Sequence, residues 1–208
     1  MSTPGTPKAE AARLERLWAD EFGDAYVERN AEAGEGRDVF WHGLLERHPI
    51  RTVLEIGCNV GANLRWIDGR LESRDVWGID INESALRAIR RRLPGINAVW
   101  SPARELPVRD RSFDLVFTAG VLIHQPESTL PLVMSEAVRA SRRFVLALEY
   151  FATETAEVPY RGEEGALFKR DYGRLYGELF PELELLESGA LGADEGWDDV
   201  TWWLFAKP

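Results

Sequence analysis

After Pro49 the chain alternates short β-branched or aromatic runs with helical segments, and this alternation admits few folds. Arg51–Ile56, Val76–Asp80, Ile96–Trp100, Phe113–Thr118 and Phe144–Tyr150 read as buried strands bounded by glycine, proline or acidic residues. Helical patterns fall between them near 61–72, 83–92 and 127–141. Repeated strand-then-helix order requires a parallel sheet with right-handed crossovers and helices on both faces. The tail departs from that order. A helix near Asp171–Phe180 precedes Leu183–Leu186 and Val200–Ala206, two strands with no helix between them. They predict an antiparallel pair closing one edge, with one face of Trp202, Trp203 and Phe205 packed on helices. The expected fold class is α/β, a doubly wound, mostly parallel sheet.

Ahead of the sheet the spacing is helical. Leu14, Leu17, Trp18 and Phe22 recur from Ala11 to near Gly23, a short helix holds Tyr26 and Val27, and 31–36 is a loop. A third helix from Asp38 to Arg47 turns Val39, Phe40, Leu44 and Leu45 inward. Ser2–Lys8 is small, polar and proline-bearing, and reads as frayed. The expectation is one domain over 1–208, with 1–48 as a helical lid segment and 49–208 as the core.

Composition narrows the function classes. With 45% hydrophobic and 29% charged residues the chain has a core to bury. A net charge of −10 repels phosphate backbones and anionic membranes, so neither nucleic acid nor membrane is an expected partner. Cys58 is the single cysteine, which suits a reducing cytoplasm. Met1–Glu10 has no apolar region behind a basic one, so no signal peptide is expected. Apolar runs such as Phe144–Leu148 fall far short of the ~20 residues of a membrane span. His42, His48 and His124 do not pair with the cysteine at ligand spacing, so no metal is expected.

The most specific segment is Val53–Asn63. It is a buried strand carrying an acidic residue near its end, then a glycine-punctuated turn, then a helix start. Glycine there permits positive φ and lets a ligand lie on bare backbone. A dinucleotide fingerprint needs glycine at three places. Gly57 supplies the first, but Asn59 and Ala62 stand at the other two, where a pyrophosphate would meet side chains. That weighs against an NAD-dependent oxidoreductase, which stays as an alternative. The segment instead resembles motif I of the class I methyltransferases, an acidic residue followed by glycines at alternate positions. Glu55, Gly57 and Gly61 match it. Asn59 departs at the middle glycine, although Asn tolerates the left-handed region better than most residues. The resemblance implies S-adenosylmethionine (SAM) as cofactor.

Asp80, 25 residues after Glu55, ends the second strand beside Ile81, where a carboxylate can accept hydrogen bonds from a ribose diol. Its structural alternative is an N-cap for the following helix. Many class I methyltransferases place an Asp-Ala pair after the third strand. Pro102 stands at that Asp here, leaving Ser101 and the Ala103 N–H as candidate adenine contacts. Thr118 and Gly120 close the fourth strand, where such sheets open a ligand crevice. His124 follows as a candidate general base, or else as an anchor for its loop. Cys58 reads as a packing residue. The Arg87 and Arg90–Arg92 run reads as a helix terminus rather than a nucleic acid patch.

Segments outside that core resemble a narrower group, the pseudaminic acid biosynthesis-associated methylases. They are Trp18–Asn30, Gly120–His124, Glu149–Phe151, Glu157–Gly162, Leu167–Asp171 and Asp198–Trp202. This resemblance implies a small polar acceptor. Loops after the fifth strand often bind acceptor in class I methyltransferases, so Glu149, Tyr160, Arg161 and Lys169 are candidate contacts. Tyr26, Arg29 and Asn30 are candidates from the lid. Guanidinium and ammonium groups in an acidic chain predict an anionic acceptor. The expected reaction is methylation of a hydroxyl or carboxylate oxygen, with nitrogen second. A SAM-binding protein without turnover is the non-enzymatic alternative.

Overall fold

The computed structural model describes residues 6–208. Of the segment read as frayed, Ser2–Gly5 lie outside the described residues. Thr6 instead caps a helix, its side chain accepting the Ala9 N–H, and Pro7 takes the first turn, where its missing N–H costs nothing. Helix α1 runs Pro7–Ala19 and α2 runs Glu21–Arg29. The break falls at Asp20, whose backbone is extended, so Gly23 lies inside α2 rather than ending α1. A Cβ on Gly23 would come within 1.9 Å of the Trp18 carbonyl oxygen, so this glycine serves the close packing of α2 on α1.

Helix α3 spans Asp38–Arg47. Strand β1 is Val53–Ile56, α4 is Leu64–Ile67, β2 is Val76–Asp80, α5 is Glu83–Arg92 and β3 is Asn97–Trp100. Then come β4 (Phe113–Ala119), a 3₁₀ turn at Leu122–His124, α6 (Leu130–Ala140) and β5 (Ser141–Glu149). A two-stranded ribbon, β6 (Ala156–Glu157) and β7 (Phe168–Lys169), precedes α7 (Tyr172–Leu179), β8 (Glu184–Leu191) and β9 (Val200–Ala206). The helix expected over 61–72 is only one turn long. Asn59, Gly61 and Gly69 all have positive φ and fence it on both sides.

The sheet order is β3-β2-β1-β4-β5-β9-β8. The first five strands are parallel, and β9 runs antiparallel between β5 and β8, so the closing pair sits at one edge. Alternating side chains feed two cores. Val116, Val145, Ala147, Trp203 and Phe205 meet α6 and α7 on one face. Leu115, Phe117, Leu146, Leu148 and Leu204 meet α3, α4 and α5 on the other. Trp41 of α3 is fully buried, 4.6 Å from the Phe117 ring. Of residues 1–48, then, α3 is a wall of the core, and α1 and α2 are the part that covers the strand ends. No helix of the described residues is long and apolar enough to cross a membrane.

Candidate active site

Parallel strands deliver their C-terminal ends to one side of the sheet, and the order reverses between β1 and β4. A crevice opens at such a reversal. Here it is a cavity under α1 and α2, floored by the turns after β1, β2, β3 and β4.

The turn after β1 is built by three conformational choices. Gly57 has φ +71, and a Cβ there would meet Val121 Cγ2 at 2.3 Å. Asn59 adopts φ +44, and its N–H donates to Asp80 Oδ2 at 2.8 Å. Gly61 has φ +79 but faces Leu93 and Ile89 of the α5 region, so it serves the turn and the packing rather than the cavity wall. Cys58 is buried against Gly78, where a Cβ would lie 2.7 Å from its sulfur, which makes it a packing residue.

Glu55 faces the cavity from β1. Asn63 Nδ2 donates to its Oε1 at 2.6 Å, while Oε2 is buried without a partner among the described residues. Burial pushes this carboxyl up to about 8, against the pull of Asn63 and Arg37. Arg37 was not foreseen from sequence. Its Nη1 donates to Asn63 Oδ1 at 2.9 Å, its Nε donates to the Gly196 carbonyl at 2.8 Å, and its guanidinium lies 4.0 Å from the Trp197 ring. Burial works against its charge, and Glu55 and Asp198 support it. A carboxylate with a free buried oxygen beside a guanidinium suits a zwitterionic amino acid, ammonium to Glu55 and carboxylate to Arg37.

Asp80 is not the cap of α5; that cap is Asn82, whose Oδ1 accepts the Ala85 N–H at 2.9 Å. The Asp80 carboxylate instead accepts the Asn59 and Asn82 backbone N–H groups, both at 2.8 Å, and borders the cavity beside Ile81. Burial raises its pKa against those hydrogen bonds. Each oxygen keeps a lone pair for a diol. Ser101 and Ala103 line the same end, but the Ser101 hydroxyl already donates to the Glu105 carbonyl at 2.6 Å, which leaves it only as an acceptor.

Gly120, with φ +66, and His124 continue the wall. The His124 Nδ1–H donates to the Ala166 carbonyl at 2.6 Å, so its lone pair sits on Nε2. Burial holds the imidazole down at about 4, and the Trp18 ring lies 4.3 Å away. Tyr26, Asn30 and Tyr160 also line the cavity.

Six expected site residues stand outside this cavity wall. Gly61 is accounted for above. Thr118 is wholly buried within the sheet. Glu149 is buried beneath the 3₁₀ turn, where it accepts the N–H groups of Val121, Leu122 and Ile123 at 3.2–3.3 Å; it positions the His124 turn and does not face an acceptor. Arg29 is exposed, 5.7 Å from the Tyr26 ring. Arg161 and Gly162 form the tip of the Tyr160–Glu163 hairpin with φ of +51 and +88, which holds Arg161 in solvent. Lys169 lies behind Tyr150, 5.5 Å from its ring. Conversely, Tyr150, Asp198 and Trp18 border the cavity without having been singled out. Each sits inside a segment that carries the narrower resemblance, which was the available signal.

Comparison with known proteins bears on the fold and the kind of protein. Residues 53–143 match the family described as "Methyltransferase domain". A phthiotriol/phenolphthiotriol dimycocerosates methyltransferase of Mycobacterium ulcerans is 34% identical over 68 residues, 32% of this chain and 25% of that protein. A probable S-adenosylmethionine-dependent methyltransferase of Mycobacterium tuberculosis is 33% identical over 86 residues, 41% of this chain and 31% of that one. The chain thus spans about a quarter to a third of the length of these curated relatives. Among solved structures, the Burkholderia thailandensis 1,6-didemethyltoxoflavin-N1-methyltransferase, with S-adenosylhomocysteine bound, superposes with a TM-score of 0.73 at 15% identity, covering 100% of this chain and 92% of that one. The magnesium protoporphyrin IX methyltransferase of Synechocystis, with SAM bound, gives 0.69 at 11% identity with 100% of both chains covered. The chain therefore has the Rossmann-like fold of the class I, SAM-dependent methyltransferases, with a methyltransferase-domain match over residues 53–143.

Proposed function

We propose that this protein is a SAM-dependent methyltransferase acting on a small polar metabolite. The observation that carries the reading is the unpartnered Glu55 Oε2 beside Arg37 and Asn63, one turn from Asp80. These groups fit the amino acid tail and the ribose of the cofactor. The left-handed Asn59 fits the bend between them, and its N–H is spent on Asp80 rather than on a phosphate. When bound, SAM supplies a methyl group on a sulfonium, whose carbon–sulfur bond breaks with its electron pair returning to sulfur.

The protein's part is alignment and proton handling. Helices α1 and α2 contribute to the cavity wall, and holding the acceptor against the cofactor in one orientation favours direct displacement. An oxygen or nitrogen lone pair of the acceptor forms the new bond, and any proton it loses passes to Nε2 of His124 or to water. Held near 4, His124 is neutral and ready to accept at physiological pH, although its low basicity limits the driving force. Oxygen remains the favoured acceptor atom. The anionic character expected from Arg161 and Lys169 loses its support, because both stand outside the cavity. The narrower kinship to pseudaminic acid-associated methylases is supported by its segments meeting at one place, with Trp18, Tyr26, His124, Tyr150, Tyr160 and Asp198 all bordering the cavity. The test is mass spectrometry of products formed from a panel of metabolites with methyl-labelled cofactor. A labelled product is expected; SAM that is bound but never consumed across the panel would favour a binding protein.

A further inference from the structure

The acceptor end of the cavity is made of phenols, a neutral imidazole and a carboxylate. Tyr26 and Tyr160 flank Trp18 at ring distances of 5.4 and 6.3 Å, and His124 lies 5.4 Å from Tyr160, which makes a continuous aromatic wall. Tyr150 joins it from the residue after β5, and Asp198 borders the rim from the exposed loop before β9. Burial, Tyr160, Tyr150 and Asp198 together disfavour a Tyr26 phenolate, so these four side chains share one electrostatic neighbourhood.

Of the cations near these rings, Arg29, Arg161 and Lys169 lie 5.5–5.9 Å from Tyr26, Tyr160 and Tyr150 but outside the cavity wall, and the two that line the cavity already have partners. Arg37 is held by Gly196 and Asn63 and stacks on Trp197. Arg104 pairs with Glu15. What lines that end is therefore ring faces, phenols, His124 with its Nε2 lone pair, the carboxylate of Asp198 and the amide of Gln125, itself bonded to Val121 and Thr129. Ring faces attract cations and N–H groups, and lone pairs accept from N–H donors. An anion would meet the same faces, Asp198 and the field of a chain of net charge −10.

We propose that this end of the cavity takes a flat ring bearing an amine or other N–H donors, neutral or cationic, and selects against anions. The proposal rests on the inner end being the cofactor site, since the acceptor must lie where the methyl is delivered. The experiment is calorimetric titration at pH 7 of the full chain, first with S-adenosylhomocysteine and then, with that ligand saturating, with two matched probes. Tyramine is the cationic ring and 4-hydroxyphenylacetate the anionic one. Tyramine is expected to bind at least about tenfold more tightly. Asp198→Asn is expected to reduce that ratio below about threefold, the ratio being measured with S-adenosylhomocysteine saturating for each variant. Tyr160→Leu, on the wall, is expected to weaken tyramine by about fivefold or more. Equal binding, preference for the acid, no binding of either probe up to about 10 mM, or an unchanged ratio in Asp198→Asn would overturn the proposal. The first titration keeps the two readings apart: absent S-adenosylhomocysteine binding counts against the cofactor assignment, whereas the probe ratio bears on the acceptor end.

Discussion

Asp80 Oδ2 accepts the backbone N–H of Asn59 at 2.8 Å, so the carboxylate that ends β2 holds the left-handed residue of the turn after β1. Two consecutive strand ends are thereby locked in one geometry. Asp80→Ala should weaken S-adenosylhomocysteine binding by about 1.5–3 kcal/mol and also lower stability by about 1–3 kcal/mol, because two backbone donors lose their acceptor. Asp80→Asn, which keeps one acceptor oxygen, should lose less of both. Calorimetry with urea denaturation checks this. A change in affinity without any change in stability would contradict the locking role.

Glu55 predicts proton release on cofactor binding. Its carboxyl is pushed up to about 8, so at pH 7 the free protein holds a proton there that an incoming ammonium displaces. Apparent affinity should rise from pH 6 to 7.5, and titrations in buffers of different ionisation heat should show release that vanishes in Glu55→Gln. The same raised group makes the ligand-free protein bind more protons folded than unfolded, so stability should fall as pH rises from 6.5 to 8. Glu149, pushed up to about 7, adds to the lower part of that window, while His124 acts oppositely only below about 6.5. Melting temperatures of wild type and Glu55→Gln at the two pH values measure the difference.

Arg37 should matter for one half of the cofactor only. Arg37→Ala is expected to weaken S-adenosylhomocysteine by about tenfold, or about 1.4 kcal/mol, and to leave methylthioadenosine, which lacks the amino acid tail, within about twofold. Equal losses for both ligands would point to a collapsed cavity instead of a lost carboxylate contact.

Arg161 and Lys169 should behave as solvated charges. Arg161→Ala and Lys169→Ala are expected to stay within about 0.5 kcal/mol of wild-type stability and within about twofold in kcat/KM. Steady-state kinetics on the identified acceptor is the check. A tenfold loss in either variant would bring the anionic acceptor back.

For His124, nitrogen-detected NMR offers a substrate-free test. The Ala166 contact requires the proton on Nδ1, and burial keeps the ring neutral down to about 4. The signal absent from His124→Gln should therefore show one neutral tautomer unchanged between pH 5.5 and 8. Titration near 6.5 would place the ring in water and remove its claim as a poised base.

The sheet was legible because its signal is repeated and local: short apolar runs with helical intervals, then a helix-free pair of strands. The limits of α4 were less so, since three residues with positive φ, Asn59, Gly61 and Gly69, cut the helix from both sides, and a glycine or asparagine in a sequence does not by itself announce that conformation. The residues proposed to hold the cofactor, Glu55, Gly57, Asn59 and Asp80, could be grouped from sequence because motif and strand end coincide, and all four line one cavity. Arg37 was missed because it follows a glycine-rich loop and reaches its partners, Asn63 and Gly196, across long sequence separations. Arg161 misled for the converse reason. Its charge is visible in sequence, but its place at the tip of a two-residue hairpin follows from the pairing of Tyr160 with Glu163.

On the proposed function, the turn after β1 holds SAM and not a dinucleotide. Calorimetric titration of the purified chain with SAM, S-adenosylhomocysteine and NAD addresses it directly. Kd values in about the micromolar range, roughly −8 kcal/mol, are expected for the first two, with far weaker NAD binding. Tight NAD binding with no SAM signal would contradict it.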